Sequence, residues 1–133
     1  LNLTSAAFVP LLEAGLEQAR SEPAAPHRYR RGFLGWALWK MTGPDARGRM
    51  QTTQDFVPPS APPAVAVIAD FERWQEKLLG LVAAAEGLPI DKVLMTSPFN
   101  ARMRYNLYAG LATLPRHQPR HLQQAERVWA PAR

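Results

Sequence analysis

Apolar residues recur every three or four positions through two long segments of the chain, and this spacing predicts amphipathic helices. The more regular segment runs from Ala64 to Glu86 and is followed by Gly87, a residue that commonly ends helices. Its inward row is Val67, Phe71, Trp74, Leu78, Leu81 and Ala85. About 22 residues at about 1.5 Å each make a rod about 33 Å long, which is the size of a helix in a bundle.

The second segment, Leu107 to Val128, places two histidines where an apolar row would place leucines. The row is Leu107, Gly110, Leu114, His117, His121, Gln124 and Val128. His117 and His121 are one helical turn apart, so both side chains are expected on one face. Pro119 lies between them and removes a backbone hydrogen bond, and a kink there would either tune or spoil the angle between the two rings.

The start of the chain predicts a third helix, from Leu1 to Arg20. Its inward row is Phe8, Leu11, Leu12 and Leu16. Pro10 indicates either a kink or the point at which the regular helix begins. No capping residue precedes the row, so we expect the polypeptide to continue before Leu1.

A fourth segment, Tyr29 to Met41, is apolar on nearly all sides and is preceded by a cluster of arginines. Three interpretations fit it: a short buried helix, a lid over a pocket, or an anchor that lies on a membrane surface. The run is too short to span a bilayer. We prefer the packed segment or the lid, because those outcomes are more common.

Two stretches are predicted as connectors within a single domain that spans residues 1–133. Proline and glycine are frequent in the stretch 42–63 and forbid a long helix there. The stretch 88–104 carries turn residues, and Lys92–Met95 suits a brief extended piece. No alternation of apolar and polar residues is long enough to indicate a sheet. We therefore expect an all-α fold, an antiparallel four-helix bundle.

The amino-acid composition excludes several kinds of site and partner. The chain is 47% hydrophobic and 20% charged, as globular domains are. The absence of cysteine excludes disulfides, thiolate metal ligands and cysteine nucleophiles, and it agrees with a cytoplasmic protein. The net charge is +5, but the basic residues are dispersed except around Tyr29, so we expect no nucleic-acid partner. No apolar run is long enough for a membrane span, and we expect no membrane partner.

The candidate chemistry lies at the two histidines of the last predicted helix. Imidazoles four residues apart on one helical face can share a divalent metal ion, as the helical His pairs of zinc enzymes do. Gln124, one turn further on, is placed to hold a ring N–H or a bound water. The alternative is a pair of core histidines satisfied by protein groups. Position alone suggests that a substrate pocket is walled by Tyr105, Tyr108 and the segment with Trp36 and Trp39.

Taken in order, these features resemble the DinB/YfiT-like superfamily. The likeness rests on Phe56-Val57-Pro58-Pro59-Ser60, on Ser97-Pro98-Phe99 and above all on the last helix. There, the residues from His117 to Gln124 are similar to the family's closing motif, His-x-x-Arg-His-Leu-x-Gln. The likeness covers nearly the whole chain.

The resemblance implies a four-helix bundle, often dimeric, whose first helix is missing from this chain. It also implies a zinc or nickel ion held by three histidines, of which His117 and His121 would be two. The third would lie immediately before Leu1, and His27 is wrongly placed to replace it. Family members with known activity are thiol-dependent transferases and isomerases, so a low-molecular-weight thiol is an expected cofactor and a small molecule an expected substrate.

Two classes of function follow. The first is a divalent-metal-dependent enzyme, either a thiol-dependent S-transferase or a small-molecule hydrolase, with the metal in a three-His site. The second is a non-catalytic helical bundle that binds a small ligand or serves as a dimerisation module. A histidine upstream of Leu1 in the full gene would favour the first class over the second. Only the net charge supports a third class, nucleic-acid-associated proteins.

Overall fold

The computed structural model describes residues 1–23, 28–46, 53–58 and 60–129. Within these ranges the helices are α1 (Asn2–Arg20), α2 (Gly32–Thr42), α3 (Ala64–Ala84) and α4 (Leu107–Trp129). A short 3₁₀ turn, Gln54–Phe56, lies in the connector before α3. An antiparallel hairpin, β1 (Leu94–Ser97) and β2 (Asn100–Asn106), separates α3 from α4. None of the helices in the described ranges is long and apolar enough to cross a membrane.

The hairpin corrects the sequence-based fold class, because the fold is mixed and is not an all-α four-helix bundle. The alternation of Arg102, Met103, Arg104 and Tyr105 was hidden in a stretch predicted as a connector. Alternate residues of a strand point to opposite faces, so the two arginines are exposed while Tyr105 is buried opposite Met95. The hairpin thereby adds apolar surface to the core at the base of α4.

The helix directions also differ from a simple antiparallel bundle. The Asn2 side chain donates to the backbone carbonyl of Val67 at 3.0 Å, and the carboxylate of Glu13 pairs with Lys77 at 3.0 Å. From the first contact to the second, the residue numbers increase along both helices, so α1 and α3 run parallel. Helix α2 lies between them in the chain and runs antiparallel to both, so it returns the chain to the end of α1 at which α3 begins.

Helix α4 packs antiparallel to α1 through close contacts at glycines. A Cβ atom on Gly15 would lie 2.8 Å from a methyl group of Leu107, and one on Gly110 would lie 3.5 Å from a methyl group of Leu12. Leu12 and Leu107 are fully buried. Neither Pro10 in α1 nor the prolines of α4 interrupt their helices.

Helices α3 and α4 both pack on α1 but have little direct contact with each other in the described part of the chain. The two helices therefore leave an apolar groove between them. The Gln118 amide donates to the Gln75 side-chain oxygen at 2.8 Å and closes one end of this groove. The cavity in it has a volume of about 90 Å³, and its lining consists of Gln75, Leu78, Leu79, Val82, Leu111, Leu114, Pro115 and Gln118.

Helix α2 lies along α4 on the opposite side, with Gly35 directly over Ala109. Asn106 fixes the start of α4 there. Its side-chain oxygen accepts the Ala109 N–H at 2.9 Å, which caps the helix, and its amide donates to the carbonyls of Arg30 and Asp91. These bonds hold the beginnings of α2 and α4 together, so the end of α2 lies beside the middle of α4, about three turns further along.

Candidate metal-binding site

His117 and His121 lie on the same face of α4 with their ring edges facing each other. Their Nε2 atoms are 2.9 Å apart and the ring planes are at 89°. Pro119 lies in the turn between them, yet the helix continues and the two rings still converge. The spacing of four residues therefore brings two ligand atoms to one point.

The outer nitrogen of the His117 ring is held by an oxygen. The Nδ1 of His117 is 3.3 Å from the backbone carbonyl of Thr42, the last residue of α2. A carbonyl only accepts, so this Nδ1 carries the hydrogen. The Nε2 of His117 therefore presents a lone pair to the Nε2 of His121, and a neutral His121 with its hydrogen on Nε2 donates to it at 2.9 Å. A side-chain hydrogen bond with Gln124 acts to raise the pKa of His121.

Both rings are neutral at pH 7. Burial lowers the pKa of His117, and the charges of the Leu1 amino group and Arg120 lower it further. Burial also lowers the pKa of His121 to about 4, with further contributions from His117, the Leu1 amino group and Arg120. A metal ligand must be the neutral imidazole, and the surroundings favour that form.

Side chains of α4 also satisfy the carbonyls at the end of α2, which have no partner within the helix. Arg116 and Arg120 flank His117 and donate from the same face of α4. The acceptors are the carbonyls of Trp39 at 3.2 Å for Arg116, and of Met41 at 3.3 Å, Gly43 at 3.4 Å and Ala46 at 3.1 Å for Arg120. We call Arg116, His117 and Arg120 the α2 clamp. It fixes the position of the Thr42 carbonyl and, through it, the His117 ring.

The beginning of α1 completes the surroundings of the histidine pair. The charge of the Leu1 amino group acts on both imidazoles, and burial lowers the pKa of that amino group itself. Asn2, the next residue, is bonded to α3. The start of α1, the start of α3 and the end of α2 therefore converge on the second half of α4.

The pair fits two neighbouring positions on a divalent metal ion. Metal–nitrogen bonds of about 2.0–2.1 Å at angles of about 90–110° separate two ligand atoms by about 2.9–3.4 Å, and the observed 2.9 Å lies in that range. The hydrogen bond at Nδ1 of His117 is of the kind that orients metal-bound histidines. Among the described residues no group of three His, Cys, Asp or Glu side chains is placed to hold a metal. The described part of the chain therefore offers two ligands.

The two tyrosines proposed from the sequence as pocket walls lie elsewhere. Tyr105 is buried in the hairpin, where burial raises the pKa of its hydroxyl to about 12 and a hydrogen bond with Ser97 offsets part of the rise. Tyr108 packs against Tyr29 with ring centroids 5.2 Å apart. Nine residues of helix separate Tyr108 from His117, about 13 Å along the axis. Neither tyrosine lies at the histidine pair.

Trp36 and Trp39, which were proposed as pocket walls together with the tyrosines, lie in different places. Trp39 is covered by the guanidinium groups of Arg116 at 3.8 Å and Arg31 at 4.6 Å from its ring centroid, so it lies beside the α2 clamp. Trp36 is on the outer side of α2 and is exposed. His27, which the sequence places away from the site, lies outside the described residues.

Sequence reasoning missed Thr42 and the two arginines of the clamp. The His117 ring is oriented by the backbone carbonyl of Thr42. Every residue type has a backbone carbonyl, so the sequence does not indicate this contact. The signal that could have found the arginines is their spacing, because Arg116 and Arg120 are four apart and follow the face that carries His117. When the chain is compared with known protein families, with curated proteins and with solved structures, no match is found.

Proposed function

We propose that this chain is part of a cytoplasmic metal-dependent enzyme that holds zinc or nickel at His117 and His121. One observation supports it above the others: the Nε2 atoms of two imidazoles on one face of α4 converge within 2.9 Å, and the Nδ1 of His117 is held by the Thr42 carbonyl. Without a metal, an Nε2–H of neutral His121 donates to the Nε2 of His117, and a metal ion would take the place of that hydrogen. Burial lowers the pKa of both rings, so neither ring carries the additional proton that would compete with a metal ion.

A third ligand is proposed from the polypeptide immediately before Leu1. The Leu1 amino group is near enough to both rings for its charge to lower their pKa values. In a longer polypeptide, a residue joined to that nitrogen would enter the same space. A histidine there would complete the three-His site implied by the resemblance to the DinB/YfiT-like superfamily.

The residues of this chain would orient such a metal and leave part of its coordination sphere for a small-molecule substrate. Thr42 keeps Nε2 as the ligand atom of His117, and Arg120 adds positive charge beside the site. When bound, a divalent metal lowers the pKa of a coordinated water or thiol toward neutrality. The reaction classes that use this chemistry are thiol-dependent S-transfer and hydrolysis of a small molecule.

The test is metal content by mass spectrometry on the full-length gene product, purified without a chelator or a histidine tag. We expect one zinc or nickel per chain. His121→Ala should abolish metal uptake while circular dichroism shows unchanged helicity. His27→Ala, at the third histidine of the sequence, is the control and should keep the metal. A wild-type protein that takes up no metal on titration, or a His121→Ala variant that keeps one equivalent, would overturn the proposal.

The groove between α3 and α4 supports a second candidate, a non-catalytic bundle that dimerises or binds an apolar ligand. The groove is lined mainly by leucine, valine and proline side chains, and Leu79 and Val82 on its edge are exposed. The side-chain nitrogen of Gln75 is buried there without a hydrogen-bond partner among the described residues. A second copy of the chain, placed over the groove, would cover the apolar edge and give this amide a partner.

A further inference from the structure

Helix α2 exposes an apolar face that faces away from the rest of the protein. Its inner side packs on α4 through Gly35 and Leu38, which are buried. On the outer side Phe33 is 79% exposed and Trp36 49%, and Leu34 and Met41 are about half exposed. We call Phe33, Leu34, Trp36, Lys40 and Met41 the outer face of α2. A helix that is hydrophobic all round is normally buried, so this face lacks a partner.

The segment that carries the outer face of α2 holds only positive charges, while the carboxylate of Asp91 accepts the Arg30 backbone N–H at 3.2 Å before the helix begins. The segment 28–42 contains Arg28, Arg30, Arg31 and Lys40 and neither aspartate nor glutamate. Arg31 is held against Trp39, whereas Arg28, Arg30 and Lys40 are exposed. A partner that covers this face must therefore tolerate or attract positive charge.

This charge pattern argues against a second copy of the chain as the occupant. Two identical subunits related by a two-fold axis present the same patch to each other. Arg28, Arg30 and Lys40 of one copy would then approach those of the other, with no carboxylate in the segment to separate them. Like charges at an interface oppose association, so an anionic surface is the better complement.

The side chains of the outer face are those that bind at the surface of a bilayer. Phe33 and Trp36 form a stacked pair with ring centroids 6.4 Å apart, at the most exposed part of the helix. Aromatic rings and leucines on one face with lysine or arginine at its edges are typical of helices that lie in the lipid interface. Lys40 has a stem long enough to lie along apolar surface while its charge stays at the headgroups.

We propose that the outer face of α2 binds the surface of an anionic lipid bilayer. Of the interpretations that the sequence left open for this run, the structure removes the buried helix, because half of the helix is exposed. Binding is peripheral and does not require a spanning segment. The helix is already formed, since α4 packs on its inner side and holds its end, so no ordering of the backbone opposes binding.

The experiment is co-sedimentation of the full chain with vesicles of phosphatidylcholine alone and with phosphatidylglycerol added. We expect binding only to the anionic vesicles. Replacing both aromatic residues, Phe33→Ser with Trp36→Ser, should lower the partition coefficient about tenfold or more, and Arg28→Glu with Arg30→Glu should lower it on the order of tenfold.

The matched control is Val65→Ser with Ile68→Ser, which removes two exposed apolar side chains from α3 outside the groove and should leave vesicle binding unchanged. Circular dichroism of each variant establishes that it is folded. Equal binding to neutral vesicles, or anionic binding that survives the Phe33 and Trp36 replacements, would overturn the proposal. So would failure of the folded wild type to bind any vesicle, which would leave an acidic protein surface as the partner of this face.

Discussion

The chemistry of the histidine pair depends on which nitrogen of each ring carries the hydrogen. A neutral imidazole has one donor and one acceptor, and the Thr42 carbonyl takes the donor of His117 at Nδ1. The lone pair at Nε2 is thereby free to bind a cation. On an isolated helix, the hydrogen of neutral His117 would exchange between the two ring nitrogens. The contact with α2 keeps it on Nδ1, so His117 is a better metal ligand with this contact than without it.

The lowered pKa values of the two histidines predict how stability changes with pH in the metal-free protein. The unfolded chain takes up protons on both rings near pH 6.5, whereas the folded chain keeps His121 neutral down to about pH 4. The contribution of the two histidines to the free energy of unfolding is therefore fully present above about pH 6.5. It is lost progressively as the pH falls toward about 4. Because both rings are only partly buried, each contributes less than the roughly 1.4 kcal/mol per pH unit of a fully shielded group.

Urea denaturation in the presence of a chelator, at several pH values between 8 and about 4, measures this effect. The His117→Gln, His121→Gln double variant is the comparison, since carboxylates contribute to both proteins alike. We expect the midpoint of the wild type to fall more steeply with decreasing pH than that of the variant. Parallel curves would show that the histidines are not shielded.

At the scale of secondary-structure elements, the contact between α2 and α4 depends on Gly35. A Cβ atom at this position would lie 2.4 Å from the Cβ of Ala109, so Gly35→Ala forces the two helices apart or shifts α2 along α4. Overpacking of this kind costs about 1–3 kcal/mol, more than the roughly 1 kcal/mol gained from replacing glycine within a helix. We expect a lower free energy of unfolding for Gly35→Ala.

Gly80→Ala is the matched control for this substitution. Gly80 lies within α3, and among the described residues nothing comes within 4 Å of a Cβ placed there. Its replacement should raise stability by about 0.5–1 kcal/mol. Chemical denaturation of both variants gives the two values, and a Gly35→Ala protein as stable as Gly80→Ala would contradict the close packing of α2 on α4.

The three long helices could be predicted from the sequence because their apolar rows extend over many turns. Helix α3 begins at Ala64 as expected and ends two residues before the predicted Glu86, and α4 begins at Leu107 as expected. The hairpin was missed because β1 has four residues, of which only Met95 and Ser97 are buried. So short an alternation cannot be separated from a turn by periodicity alone.

Of the candidate site, the sequence could predict that His117 and His121 share a face, since that follows from spacing within one helix. It could not predict the contacts between elements. The end of α2 reaches His117 because α2 lies parallel to α4, and that direction depends on the path of the connectors. Tyr105 and Tyr108 were misplaced for the same reason: both are close to the histidines in sequence but lie toward the opposite end of α4.

At the scale of the whole molecule, the groove between α3 and α4 is an apolar surface that remains open. Helices α3 and α4 each pack on α1, and the groove between them is apolar along its length and closed at one end by Gln75 and Gln118. Leu79, 69% exposed, lies at its edge. Soluble monomers rarely leave such a surface open, and a homodimer is the simplest way for this chain to cover it.

Sedimentation equilibrium of the wild type is expected to show a dimer. The Leu79→Glu, Val82→Glu variant should shift it toward the monomer, because each carboxylate would be buried in the apolar contact at a high cost. Phe33→Glu, on the outer face of α2, is the control and should remain dimeric. A wild type that is monomeric at every concentration tested would exclude the groove as a dimer interface.

The α2 clamp joins two surfaces that have so far been considered separately. Arg116, His117 and Arg120 extend from α4 to the last carbonyls of α2, and the opposite side of that same short helix is its exposed outer face. Two sites are thermodynamically linked when both ligands favour the same position of a shared element, and such linkage is reciprocal. If a bilayer that docks on α2 tightens the Thr42 carbonyl against His117, it strengthens metal binding by some factor, and metal bound to His117 strengthens docking by that same factor. The fraction of the protein that is bound to a membrane would then depend on whether its metal site is occupied.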